Sequence, residues 1–192
     1  EYVYQIEKER AGSYQIEVLA KSKEHEVPIT LRFQELRDEQ MQPAHGELPF
    51  FLQENTVIQF LQYPYEQVVA ENFVEILEKM ELINDLSCYE EIYGILKKEA
   101  LDGRKVEQQI IEIGTKRELF FGKDRLDTVL HYKDYTYMKR KWTAYLKRER
   151  KKEPDWVEVM TLLEAFFPPV WRAIIRDEIF IGDWMPELCR FL

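Results

Sequence analysis

Along the first forty residues, apolar and polar side chains alternate with a period of two. Tyr2, Tyr4 and Ile6 alternate with Val3, Gln5 and Glu7, and Tyr14, Ile16, Val18 and Ala20 alternate with Gln15, Glu17, Leu19 and Lys21. Successive strand residues point to opposite faces, so the pattern predicts two strands, with Ala11-Gly12-Ser13 as the turn of a hairpin. A third strand is predicted over 27–36, with Ile29, Leu31 and Phe33 on one face and Thr30, Arg32 and Gln34 on the other. Pro43, Gly46 and Pro49 predict a loop, and 56–62 a short extended stretch.

After Pro64 the period lengthens to that of a helix. Val68, Val69, Phe73, Ile76, Leu77 and Met80 recur at helical spacing behind a proline suited to open it. Ser87-Cys88-Tyr89-Glu90 predicts a capping box, followed by an apolar stripe of Tyr89, Ile92, Tyr93 and Leu96. A helix is expected over 102–116 on Val106, Ile110 and Ile113. Another is expected over 134–150, with Met138, Trp142, Tyr145 and Leu146 inward and Lys139, Arg140, Lys147 and Arg148 outward. Asp155 with Glu158 predicts a cap for a helix carrying Val159, Leu162, Leu163 and Phe166. Pro168-Pro169 is expected to break or kink it before Trp171, Ile174 and Ile175 resume the pattern. The aromatic tail, 179–192, is expected to pack back on the body. The expected class is α+β, with a β-rich part over 1–62 and a helical domain over 63–192.

Composition narrows the class. With 45% apolar and 14% aromatic residues the chain can build a core and is not disordered. Cys88 and Cys189 are far apart and outside any C-x-x-C spacing, which points away from a disulfide framework or cysteine zinc site and toward a reducing cytoplasm. No apolar run reaches the ~18–20 residues of a membrane span, and Glu1-Tyr2-Val3-Tyr4 has no basic leader region. A start without Met is what a fragment would show. A net charge of -9 opposes nonspecific nucleic-acid binding by the whole surface. Locally the balance reverses, because 133–152 holds nine Lys or Arg residues against Asp134 and Glu149.

Three segments, in this order, resemble the distal part of the AbiEii/AbiGii nucleotidyltransferase family. The first is Tyr65-Glu66-Gln67-Val68-Val69-Ala70-Glu71-Asn72-Phe73; the second is Ile83-Asn84-Asp85-Leu86-Ser87-Cys88-Tyr89-Glu90-Glu91-Ile92-Tyr93. The third is Lys139-Arg140-Lys141-Trp142-Thr143-Ala144-Tyr145-Leu146 followed by Asp155-Trp156-Val157-Glu158-Val159. The resemblance implies a partial antiparallel sheet of a nucleotidyltransferase-like fold, followed by a helical bundle. It also implies transfer of a nucleotide from an NTP to an RNA or protein acceptor with Mg²⁺, and an antitoxin or other protein partner. The family's Gly-Ser motif with its paired aspartates lies upstream of the matched region, and that combination has no counterpart in this sequence. Asn72 stands in place of a motif lysine, and Ser87 and Cys88 in place of a Lys-Asp pair.

On this resemblance Glu17 is the accessory catalytic and metal-facing acid and Glu91 a second catalytic acid. The alternative is a catalytically degenerate binding or scaffold module, and an unrelated helical interaction domain is a third reading. Glu17 on the polar side of a strand and Glu71 and Glu91 on amphipathic helices are also what solvated faces carry. Cys88, in the first turn of its helix, could have a lowered thiol pKa and act as a nucleophile, although no histidine lies near it in sequence. His25, His45 and His131 fall in expected turns or loops without metal-ligand spacing, and read as surface residues. The candidate nucleic-acid contacts are Lys139, Arg140, Lys147, Arg148 and Lys151. Trp142 and Tyr145 lie close enough to join an RNA contact, though Trp142 reads first as a core anchor.

Overall fold

The computed structural model describes residues 2–10, 13–21, 26–34, 43–49 and 56–192. It confirms a mixed α and β chain and divides it into two compact units, Glu1–Gln42 and Pro43–Leu192. The first holds β1 (Tyr2–Arg10), β2 (Ser13–Lys21) and β3 (Glu26–Gln34), antiparallel in the order β1-β2-β3. Ile16 pairs with Leu31 and Val18 with Ile29, which by alternation share one side; Glu17 and its partner Thr30 share the other. The predicted turn at Ala11 and Gly12, the end of the third predicted strand and His25 lie outside the described residues.

The second unit opens with a hairpin, β4 (Ala44–Pro49) against β5 (Val57–Gln62). The loop expected around Pro43, Gly46 and Pro49 is therefore a strand over most of its length. Gly46 pairs with Phe60, whose ring lies where a side chain at position 46 would go: a Cβ there would sit 2.6 Å from Phe60 Cζ. That glycine makes room for a cross-strand aromatic and does not mark a turn. His45, expected in a loop, lies on the same strand and is exposed. The hairpin belongs to the second unit, which begins at Pro43.

Helices follow: α1 (Tyr65–Lys79), a 3-10 turn (Met80–Leu82), α2 (Ser87–Leu96), α3 (Gly103–Lys116), α4 (Lys123–His131), α5 (Thr136–Arg148) and α6 (Trp156–Arg176). Short strands β6 (Leu101–Asp102), β7 (Asp183–Met185) and β8 (Arg190–Phe191) form an antiparallel sheet in that order. α6 is the spine. It buries Trp156, Val159, Met160, Leu162, Leu163, Phe166, Phe167, Val170, Trp171 and Ala173. Phe167 stacks on Phe73 of α1 with ring centroids 3.6 Å apart, and Trp171 meets Phe73 edge-on at 5.8 Å. α6 runs unbroken through Pro168 and Pro169, contrary to the expected break. An interior proline costs ~3 kcal/mol or more, but Phe166 and Phe167 buried before the pair and Val170 and Trp171 buried after it hold both halves in one helix. No helix of the described residues is long and apolar enough to cross a membrane.

Capping follows the sequence at Asp155, departs from it at Ser87, and adds a cap at Asp102 that the sequence reading did not name. Asp102 accepts from the Arg104 and Lys105 amides, and Asp155 from the Glu158 amide at 2.8 Å. The expected capping box at Ser87 is absent: Leu86 holds the cap position and Asp85 Oδ1 accepts from the Ser87 amide. Glu90 turns instead to Tyr145 Oη and Lys151 Nζ, each 2.5 Å away, because a phenol and an ammonium are stronger donors than a backbone amide. α4 carried no cap signal, since Gly122 precedes it, and a nine-residue polar stretch buries just Leu126 and Val129. His131 ends this helix, with Nδ1 2.6 Å from the Asp127 carbonyl oxygen, and is not in a loop.

Three phenol–carboxylate bonds tie the helices together: Tyr145 to Glu90 (α5 to α2), Tyr93 to Glu158 (α2 to α6), and Tyr132 to Glu81, behind α4 and α1. The tail docks as expected. Trp184 is fully buried, donates from Nε1 to the Leu96 carbonyl at 2.8 Å, and meets Phe166 and Phe191 edge-on. Buried Glu107 accepts from the Phe180 amide at 3.1 Å and fixes the start of the tail.

Trp184→Ala is expected to lower the unfolding free energy by ~3–5 kcal/mol, seen as a lower urea midpoint at unchanged slope; Trp184→Phe should lose clearly less. Burial, then the bond to Glu158, pushes the Tyr93 hydroxyl up to about 12 from a usual 10.0. Burial and carboxylate partners raise Tyr132 and Tyr145 in the same direction. A raised folded-state pKa stabilises fully below the unfolded value and less as pH climbs through the folded one. Unfolding midpoints should therefore fall as pH rises from about 10 to about 12, and less steeply in a Tyr93→Phe/Tyr145→Phe variant, measured by urea titration at each pH.

Candidate nucleic-acid interface

α5 and α6 are joined by a seven-residue link, 149–155, and the two helices with this link enclose a groove of about 550 Å³. α5 contributes Lys139, Thr143, Leu146 and Lys147; the link contributes Lys151, Lys152 and Asp155; α6 contributes Trp156 and Val157. The 3.6-residue period explains the α5 set, because positions 139, 143, 146 and 147 fall on one face. Trp142 completes the floor. Its indole is 1% exposed and donates to the Pro154 carbonyl at 2.9 Å, while Trp156 donates to the Tyr132 carbonyl at 2.8 Å. The two indoles lie 5.6 Å apart, and Trp142 also stacks on Tyr145 at 5.2 Å. The floor is apolar and held at both ends by main-chain bonds.

Charge at the rim is one-sided, with four lysines facing one carboxylate, Asp155, which is itself engaged in capping α6. Lys151 pairs with Glu90 at 2.5 Å and Lys139 with Asp134 at 3.6 Å. Lys147 and Lys152 have no ion pair among the described residues. Exposed pairs contribute only ~0–1 kcal/mol, so an incoming anion can compete for Lys139 and Lys151 at little cost.

The residues singled out from sequence divide accordingly. Lys139, Lys147 and Lys151 converge on the groove, whereas Arg140 and Arg148 do not line it. Arg148 bonds Glu149 at 3.0 Å and lies over the Tyr145 ring at 5.4 Å. Lys152 joins the groove just past the residues named from sequence, because the helix ends at Arg148 and the link bends the chain over α5. Trp142 and Tyr145 are both buried, so Trp142 is the anchor expected, and neither ring offers a free face to a base. Tyr135 and Tyr137, which the sequence reading left aside, are 47% and 48% exposed.

The acids named from sequence lie in different units. Glu17 is exposed on the central strand of the first unit, opposite Gln5 and Thr30, and Glu91 lies in the second unit. Two motif positions do meet, since Asn72 Nδ2 donates to Glu91 at 2.8 Å across α1 and α2. Glu91 also borders a groove of about 510 Å³ with Tyr63, Tyr65, Lys98 and Glu99. Glu71 is engaged by Arg117. No group of three or more His, Cys, Asp or Glu side chains among the described residues is arranged to hold a metal ion. Cys88 is 4% exposed and donates to the Asp85 carbonyl, and burial first, then Glu75 and Asp85, raises its thiol far above the usual range. Burial outweighs the helix terminus, so the lowered pKa and nucleophilic reading fail for this cysteine.

No protein-family model, curated protein or solved structure matches the chain.

Proposed function

We propose that this chain is a binding module of the nucleotidyltransferase-like class its sequence resembles, and that the groove between α5 and α6 holds the phosphate backbone of an RNA. One observation carries the reading: four lysines ring an apolar, indole-floored groove on a chain whose net charge is -9. An acidic body with one basic groove steers a polyanion to that groove and repels it elsewhere. The fixed floor holds the backbone positions from which the lysines project, which lowers part of the ordering cost of contact.

Transfer of a nucleotide from an NTP is the second reading, favoured by the meeting of Asn72 and Glu91. Mg²⁺ would need several oxygen ligands. No group of three or more His, Cys, Asp or Glu side chains among the described residues is arranged to hold a metal ion, so the described residues do not fit that ion. On the same resemblance, a protein antitoxin is the second partner proposed.

Fluorescence anisotropy with a labelled single-stranded RNA should show binding that weakens steeply with salt. Each phosphate contact contributes roughly -0.7 to the slope of log K against log salt for a single strand, so Lys147→Ala/Lys152→Ala should flatten the slope by about 1.4 while leaving the circular dichroism spectrum unchanged. An unchanged affinity and slope in that variant would remove the groove from RNA binding. Label from a radioactive NTP appearing on RNA or protein, and lost in Glu91→Ala, would shift the assignment to the transfer reading.

A further inference from the structure

Four tyrosine and lysine side chains at the start of α5 form a rigid, half-exposed aromatic step beside the groove. Tyr132 is buried, and its hydroxyl is fixed by Glu81 at 2.7 Å. Tyr135 leans on Tyr132 with ring centroids 6.0 Å apart, and Tyr137 on Tyr135 at 5.8 Å. Lys141 supports Tyr137 from 5.2 Å, and its ammonium is itself held by the Glu81 and Ile83 carbonyls. The two outer rings therefore keep their positions without a ligand, although about half of each faces solvent.

Helical geometry relates this step to the groove. Tyr137 and Lys147 are ten residues apart, roughly 15 Å along α5, and turn by turn the exposed surface passes from Lys147 and Thr143 through Arg140 and Ala144 to Tyr137. Arg140 is exposed and has no ion pair among the described residues. It stands between the lysine rim and the rings, where a phosphate crossing from one to the other would pass.

Building on the groove reading above, we propose that the ligand is a single-stranded stretch of RNA whose backbone lies on Lys139, Lys147 and Lys152, crosses at Arg140, and whose next bases stack on Tyr137 and Tyr135. Base faces are open in single strands and closed in an A-form duplex, so the aromatic step selects unpaired RNA. Stacking is indifferent to base identity, and the preference is for strandedness over sequence. The lysines supply the salt-dependent part of binding and the rings the part that survives at high salt.

The test uses the full chain, a labelled unstructured RNA of about twelve nucleotides, the same RNA annealed to its complement, and anisotropy at two salt concentrations. The wild-type chain is expected to bind the single strand about tenfold or more tightly than the duplex. Tyr135→Ala/Tyr137→Ala is expected to lose at least tenfold on the single strand at either salt, with the salt slope kept, whereas Tyr135→Phe/Tyr137→Phe keeps wild-type affinity. Equal binding of single strand and duplex, or an alanine variant that binds like wild type while Lys147→Ala/Lys152→Ala loses affinity, would overturn the stacking step and leave the groove reading standing. Wild-type protein that binds neither RNA would overturn both.

Discussion

Burying α6 is the constraint from which the second unit is built. Ten of its side chains are withdrawn from water on a face that takes up about half its circumference, while Glu158, Thr161, Glu164, Ala165 and Arg172 stay exposed opposite, so that broad apolar face must be covered. α1 covers it with the Phe73–Phe167 stack, the tail covers it through Trp184 and Phe191, and Trp156 at its start meets Trp142 of α5. Fully burying one large apolar side chain contributes ~1.5–3 kcal/mol, and several such contributions exceed the cost of two prolines in one helix. The same demand explains why the short tail is ordered: without it, the Phe166 face of α6 would meet water.

The groove is a by-product of that packing. α5 reaches α6 at an aromatic cluster, and the link between them must turn back across both helices. That brings Lys151 and Lys152 over the same apolar floor that Lys139 and Lys147 border from the other side. A basic run in sequence thereby becomes a concave site, with its counter-charges, Glu90 and Asp134, at the edge. Electrostatics then works against a contrasting background, since the rest of the chain is acidic.

Much of this was legible in the residues. Strand alternation at Ile16, Val18, Ile29 and Leu31, helical spacing at Phe73, Ile76 and Leu77, and the cap at Asp155 each state a local preference that packing reinforces. Departures occur where a distant partner decides. Glu90 leaves its local cap for Tyr145 and Lys151, fifty-five and sixty-one residues away. Gly46 serves Phe60 on the next strand, and Pro168-Pro169 is carried by neighbours of α6 that periodicity along one helix does not reveal. The site was read in part for the same reason. Charge runs and aromatic spacing identify the helix, but which rings stay in water, Tyr135 and Tyr137, not Trp142 and Tyr145, depends on what α6 and Glu90 cover. Contacts such as that of Asn72 with Glu91, nineteen residues apart on two helices, are likewise beyond what a pattern along one element reveals.

The indole floor has a consequence for how this surface can change over time. Its two rings belong to the core, pinned by the Pro154 and Tyr132 carbonyls, so any replacement there is felt as lost stability before it is felt as altered recognition. The lysines above them touch little of the interior and can be exchanged at little cost in stability. Within one patch, then, selection acts on two non-overlapping sets of side chains, a frozen base and a variable rim. The charge of the rim can drift while the architecture that displays it stays constant.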